Sequence, residues 1–427
     1  MATPHGQSPA PQGLTDWLAE QAWRLERLTA GGRCEDLAPF GAALSGVRIV
    51  GLGEATHGSR EFFQLKHRIF EFLVVEAGFT TLALEASESA ARAVDGYVQG
   101  GGGDPGELMG RLGFWTWHTE EMRALVTWMR AHNQRAAPGR RVRFVGIDPQ
   151  RSRASVAYVT DFLHQVAPAE AVAAQSALAP LDTARPGSRP DPQQGLRASA
   201  ERLLDLLTDR RAEFTAQVGA EATEAAISHT HVLVRSADLV TLSFDTRLFT
   251  ARDRYMAEAV SAVVDGTGPA GPNGSGEEKV VVWAHNGHVS RGHYMPGVPA
   301  LGHHLHQRYG DAYYSLGMLF GAGAFRARRG RNMRRPAVPH RISRPGVGSL
   351  EAELAQAVPG DHLVDLRAAR TAPAEVRDWL GRQHRHRSLG ANVPRFTYRL
   401  HHAPTVPAQD YDGLAYVETS TCSRPLP

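Results

Sequence analysis

The sequence predicts an α/β fold: a central, mostly parallel sheet with helices on both faces and an inserted helical lobe over the carboxyl ends of the strands. Three observations predict it. Residues 47–85 read as strand, polar turn, amphipathic helix, turn and strand, the unit that builds parallel sheets. The apolar runs 142–147 and 279–284 are short and end abruptly in polar residues, as suits strands buried on both faces. Between them, residues 151–265 are helical in pattern and interrupt the alternation.

In order along the chain, residues 1–12 are rich in Pro, Gly and Ser and read as a disordered N-terminus. Leu14, Leu18, Ala22, Leu25 and Leu28 fall at helical spacing, which predicts an amphipathic helix. A short connecting helix is expected over 34–44. Residues 13–150 form the first part of the α/β core, with a strand at 47–52 and the turn Gly53-Glu54-Ala55-Thr56-His57-Gly58. The helix 60–76 puts Phe62, Leu65, Ile69, Phe72 and Leu73 on one face, and Gly78 stops it in the left-handed conformation. A second strand spans 80–84 and a helix 87–98. Thr119 is placed to cap the next helix. The third strand, 142–147, runs into Asp148.

The lobe is expected over 151–265, with a Pro-rich mobile loop at 180–195 and helices at 196–216, 219–247 and 252–264. A linker at 266–276 leads to the second part of the core, 279–427. There a strand at 279–284, a helix at 299–309 and a strand at 312–319 precede an Arg-rich loop or hairpin at 322–344. Further strands are expected at 362–366, 396–400 and 414–418.

The bulk numbers bound the function. The chain has 427 residues, 42% hydrophobic and 21% charged, enough for a large core. Its 47 basic and 44 acidic residues leave a net charge of +3, which gives no case for a nucleic-acid partner. Two cysteines, Cys34 and Cys422, exclude a disulfide framework and a cysteine-based zinc site. No apolar leader or membrane-length run is present, so a cytoplasmic protein with no membrane partner and a small-molecule substrate is expected. The oligomeric state stays open.

Candidate chemistry gathers where strands end, since ligands bind outside the carboxyl ends of strands in open α/β sheets. Glu54 and His57 are three residues apart just past the first strand. A carboxylate beside an imidazole fixes its tautomer and raises its basicity, which suits a general base. A polar turn capping the following helix explains the same pair. Glu85 ends the second strand; it faces the same crevice or is an ordinary surface acid. His285 and His288 follow the fourth strand, where they can move protons, polarise an oxyanion or bind metal. That several strand ends deliver acids or histidines favours a site over coincidence. These side chains also supply ligands for zinc or manganese. A His-Glu-x-x-His pattern is lacking, so a site without metal or other cofactor is expected. Trp115 and Trp117 form an apolar wall for substrate or belong to the core. Lys66 is a candidate anion clamp, Asp148 a polar contact at its strand end, and Arg252 with Asp253 either partners for the site or a helix-start ion pair. The run 326–335 reads as a solvated loop.

These residues resemble the erythromycin esterase family. The resemblance rests on residues 51–58 (GLGEATHG), 72–79 (FLVVEAGF) and Leu84-Glu85, then on 142–148 (VRFVGID), 252–257 (RDRYMA) and 283–288 (WAHNGH), in that order. It covers 45–320, with a weaker tail at 411–417. It implies an α/β fold with a helical lobe over a deep cleft, and hydrolysis of a macrolactone ester by a histidine that activates water without a required metal. The implied base is His57, its supporting acids Glu54 and Glu85, and its histidine pair His285 and His288. Some members carry Arg where this chain has Lys66, which loses the bidentate fork.

The expectation is therefore a carboxylic ester hydrolase acting on an ester or lactone of a bulky, macrolide-like natural product, in antibiotic resistance or in biosynthesis. Its catalytic residues are His57, Glu54, Glu85, His285 and His288; its substrate contacts are Lys66, Trp115, Trp117, Asp148 and Arg252. The same site could instead serve elimination or cyclisation. A non-catalytic metal- or haem-binding module is the reading from another class.

Overall fold

A computed structural model of the chain describes residues 10–191, 193, 195–267, 278–330 and 335–427. Ten strands form the main sheet: β1 (Ala22–Arg24), β2 (Ile49–Leu52), β3 (Thr81–Ser87), β4 (Arg143–Asp148), β5 (Val280–Trp283), β6 (Tyr313–Arg329), β7 (Val338–Ile342), β8 (His362–Asp365), β9 (Asn392–Val393) and β10 (Gly413–Ser420). Their order is β1-β8-β10-β6-β2-β5-β3-β4, with β7 and β9 also paired to β6. From β10 to β4 every neighbour is parallel; β1, β7 and β8 pair antiparallel. The mostly parallel sheet with helices is thus the architecture that the sequence predicts.

β2 and β5 lie side by side in the middle and are buried along their whole length. This is why their residues read as unbroken apolar runs and not as alternation. The helix Arg60–Ala77 starts where the Ser59 hydroxyl accepts a hydrogen bond from the Phe62 amide and ends at Gly78, which takes φ 72°. Phe62, Leu65, Ile69 and Leu73 are fully buried on its inner face. Thr119 caps the helix Glu120–Asn133, as its position predicts.

Several elements differ from expectation. The first helix stops at Gln21, and residues 22–24 become an edge strand against β8. Backbone pairing with an open sheet edge there overrides helical spacing. β6 continues to Arg329, because its far half pairs with β7; the Arg-rich stretch is a hairpin arm, with residues 331–334 outside the described part. Residues 396–400 hold no strand; Tyr398–Leu400 is a 3-10 turn. The pairing beside it joins His384–Arg387 to His402–Thr405, segments with no apolar alternation to reveal them. The last lobe helix is Thr246–Val264, started by the Asp245 carboxylate, so Arg252 lies inside it and not at its start. The expected N-terminal disorder and the 266–276 linker lie largely outside the described residues.

The turn after β2 is clamped between elements. The Arg326 amide donates to the Gly58 carbonyl at 3.1 Å. A Cβ at Gly58 would stand 1.9 Å from the Arg326 carbonyl oxygen, a backbone atom that cannot swing away. The Asn286 side chain continues the β6 ladder: its amide donates to the Met318 carbonyl and its oxygen accepts from the Met318 amide. The Gly58→Ala protein is expected to lose on the order of 1–3 kcal/mol of stability, the usual effect of overpacking. Thermal or urea unfolding measures it, and an unchanged midpoint would refute the close packing of this turn.

Candidate active site

Four strands deliver the polar side chains. Glu54 and His57 follow β2, Glu85 lies in β3, Asp148 ends β4, and His285 and His288 follow β5. Beside them a cleft of about 770 Å³ is lined by His57, Glu85, Trp115, Trp117, His285 and His288, among others. Such a volume suits a sizeable small molecule.

His57 is held by one edge. Its Nδ1 lies 2.6 Å from Glu54 Oε1. The carboxylate can only accept, so Nδ1 carries the proton and Nε2 keeps a lone pair. His57 borders the cleft, with the Trp117 ring edge-on at 5.9 Å. The other Glu54 oxygen accepts from Lys66 Nζ at 2.8 Å. Lys66 also donates to the Ala284 carbonyl and sits over the Trp283 ring. Both Glu54 and Lys66 have no solvent exposure. Burial pulls the ammonium down to about 8, against the attraction of Glu54.

His285 presents the opposite chemistry. The Gly287 amide donates to its Nδ1 at 3.2 Å, which leaves the proton on Nε2. That Nε2 is buried and has no hydrogen-bond partner among the described residues. Burial and the neighbouring His57 hold the imidazole neutral, well below its ordinary range. The His57 and His285 ring centroids lie 5.2 Å apart, and both residues line the cleft.

A charged cluster stands behind them. Arg252 Nη2 donates to Glu85 Oε1 and Asp148 Oδ2, each at 2.7 Å. The second Glu85 oxygen accepts from the His285 backbone amide at 3.0 Å. Burial pushes the Glu85 carboxyl up, but the charges of His288 and Arg252 outweigh it and hold it well below the carboxylate range. His288 Nδ1 lies 2.9 Å from Asp253 Oδ2, and its Nε2 lies 3.3 Å from Glu85 Oε1. Burial pushes His288 down, yet Asp253 and Glu85 raise it to about 9. Arg252 Nη1, 2.9 Å from the same Nε2, opposes that charge, because an arginine N–H can only donate. The attraction of Asp253 and Glu85 outweighs that repulsion, and the charged form prevails.

The structure therefore sorts the sequence candidates. His57, Glu85, Trp115, Trp117, Arg252, His285 and His288 border the cleft. Glu54, Lys66 and Asp148 do not; each is fully buried behind a residue that does. Lys66 reaches Glu54 and not the cleft, and Asp148 holds Arg252 together with the Gln150 side chain. Trp117 also donates from Nε1 to the Glu85 carbonyl. Of the lobe, Arg151 at its entry and Arg252 on its last helix reach the cleft; the facing wall is the C-terminal stretch 383–411. Asp253, paired with Arg252 in the sequence reading, meets His288 Nδ1 at the site. Two contributors escaped sequence reasoning: Tyr294, whose ring stacks on His288 at 4.3 Å, and His386 on the facing wall. Among the described residues, no three His, Cys, Asp or Glu side chains are grouped so as to hold a metal ion. No described helix is long and apolar enough to cross a membrane.

Known proteins share this organisation. The family model for erythromycin esterase matches residues 74–420, most of the chain, beginning after the Glu54–His57 turn. The chain is 25% identical to "Erythromycin esterase type II" of Escherichia coli over 316 residues, covering 68% of this chain and 73% of that protein. Two solved structures share the fold. A succinoglycan biosynthesis protein superposes with a TM-score of 0.78 at 21% identity, covering 97% of this chain and 98% of the other. A mutant of the erythromycin esterase EreC in its open conformation superposes with a TM-score of 0.70 at 16% identity, covering 93% and 98%. With a family model that spans most of its length, the chain belongs to the erythromycin esterase family.

Proposed function

We propose that this protein hydrolyses an ester or lactone bond in a bulky small molecule, with His57 as the general base that activates water. The observation that carries the reading is the corner where the free lone pair of His57 meets the unpaired Nε2–H of His285. Family membership supports the hydrolase class.

The steps follow from the donors and acceptors present. His57 Nε2 takes a proton from water as its oxygen attacks the ester carbonyl. Negative charge develops on the carbonyl oxygen, and His285 Nε2–H donates to it in a buried setting, where such a bond is strong. On collapse the C–O bond breaks, and the alkoxide takes the proton from His57. His285 fits the oxyanion role better than His288, because both nitrogens of His288 are engaged by Asp253, Glu85 and Arg252. Glu54 orients His57, and Glu85 fixes His285 through its backbone amide. Lys66, Asp148 and Asp253 are positioning residues.

Ester turnover by the His57→Asn protein is expected to fall by about 10²–10⁴-fold, the usual contribution of a positioned base. Turnover within a few-fold of the unaltered protein, with fold intact by circular dichroism, would end this assignment. Product mass separates the reactions: hydrolysis adds one water, whereas elimination adds none.

Lys66 gives a second prediction. Its folded value of about 8 lies below its ordinary 10.5. Between those values the unfolded chain keeps a proton that the folded chain has lost, so stability rises with pH. Below about 8 both forms are charged, and the full penalty of burying the charge remains. The gain across the window is expected to be on the order of 3 kcal/mol. It should be absent from the Lys66→Met protein. Urea unfolding at pH steps through the window tests this; equal slopes for the two proteins would contradict it.

A further inference from the structure

One wall of the cleft carries positive charge that the reaction does not use. Arg151 follows β4, and Arg328 projects from the outer half of β6; both are half-buried and line the cleft. Neither has an ion pair or a side-chain hydrogen bond to a described residue, and the Nε of Arg328 is buried without a partner. The nearby acid, Asp148, is already committed to Arg252 and Gln150. Arg151 stacks over the Phe114 ring, and Arg326, on the same face of β6 as Arg328, stacks over Trp115. Arg185 adds a third charge close enough to repel both Arg151 and Arg328.

Half-buried guanidinium groups that repel each other and have no carboxylate are an unsatisfied arrangement. Planar N–H forks of this kind match carboxylate and phosphate oxygens. Of the acids that line the cleft, Glu85 is paired with Arg252, and Asp410 accepts from the Thr405 hydroxyl and the Val406 amide through its Oδ2. An anionic group would meet two arginines that have no such partner.

We propose that Arg151 and Arg328 form an anion subsite, so that the substrate carries a carboxylate or phosphate group on the part of the molecule away from the scissile ester. This deepens the hydrolase reading and rests on it for the word substrate. The anion subsite itself does not depend on turnover. The Arg-rich wall then selects among esters by charge, while His57 and His285 act on whichever carbonyl is delivered to them.

Three para-nitrophenyl esters of matched length test the selection: an anionic hydrogen glutarate, its neutral methyl ester and a cationic trimethylammonium butyrate. The unaltered protein is expected to favour the anionic over the neutral ester by about tenfold or more in kcat/KM, as a charge-assisted hydrogen bond allows. The ratio should collapse toward one in the Arg151→Gln, Arg328→Gln double variant and recover in part in the Arg151→Lys, Arg328→Lys protein. Equal handling of the three esters by the unaltered protein, or a ratio insensitive to the double variant, overturns the proposal. Calorimetric titration with glutarate and with phenyl phosphate separates the two sources of charge and needs no turnover. If no ester reacts but either anion binds the unaltered protein and not the Gln variant, the hydrolase reading falls and the anion subsite stands. If esters react but neither anion binds, or binding survives both Gln substitutions, the subsite falls alone.

Discussion

The buried guanidinium of Arg252 is the contact on which the site depends. A single nitrogen joins Glu85 on β3 to Asp148 on β4, while the arginine itself rides on the last helix of the lobe. Sheet and lobe are thereby fixed relative to one another at the carboxyl ends of the strands. Such a cluster is costly to bury and stays favourable only while every charge is matched; breaking it by removing one partner typically costs about 3–5 kcal/mol. Here one guanidinium and one raised histidine face three carboxylates. The His285 corner of the cleft is tied to it, because the other oxygen of Glu85 accepts from the His285 backbone amide.

Two electrostatic environments sit side by side as a result. Around Arg252 and His288, charge is concentrated, with Asp253, Glu85 and Asp148 opposing the two cations. At His57 and His285 the hydrogen bonds select opposite tautomers, one directing a lone pair and the other a proton away from its partner. Glu54 sets the first tautomer from beneath, and the Gly287 amide sets the second from the adjoining turn. A pair with these complementary roles suits a reaction in which a proton leaves water as charge grows on an oxygen.

The cleft is asymmetric about this corner. On one side Trp115 and Trp117 supply aromatic surface, with Arg151 in the same lining; Arg328 sits where its strand pairs with Asn392 of the C-terminal stretch. On the other, the C-terminal stretch 383–411 closes over the strand ends, held by the short pairing of His384–Arg387 with His402–Thr405. The lobe gives mainly Arg252 and its own packed core, built around residues such as Val159, Leu163, Leu207 and Leu233. It steadies the floor of the site more than it roofs it.

The sequence by itself determined the alternation of strand and helix, the burial of the middle strands and the strand-end positions of Glu54, His57, Glu85, Asp148, His285 and His288. Those features are local: apolar run length, helical spacing and turn chemistry are written within a few residues of each other. It also carried the family through short blocks in fixed order. Only the tertiary structure decided which of these residues face the cleft. Lys66 and Asp148 were expected to touch substrate; they lie behind Glu54 and Arg252, because their roles are fixed by partners 12 and 104 residues away. The separation of β6 from its expected end, the edge strand β1 and the wall at 383–411 likewise arise from pairings between distant segments. The tautomers of His57 and His285 follow from single hydrogen bonds made in the folded chain, and no periodicity in the sequence encodes them.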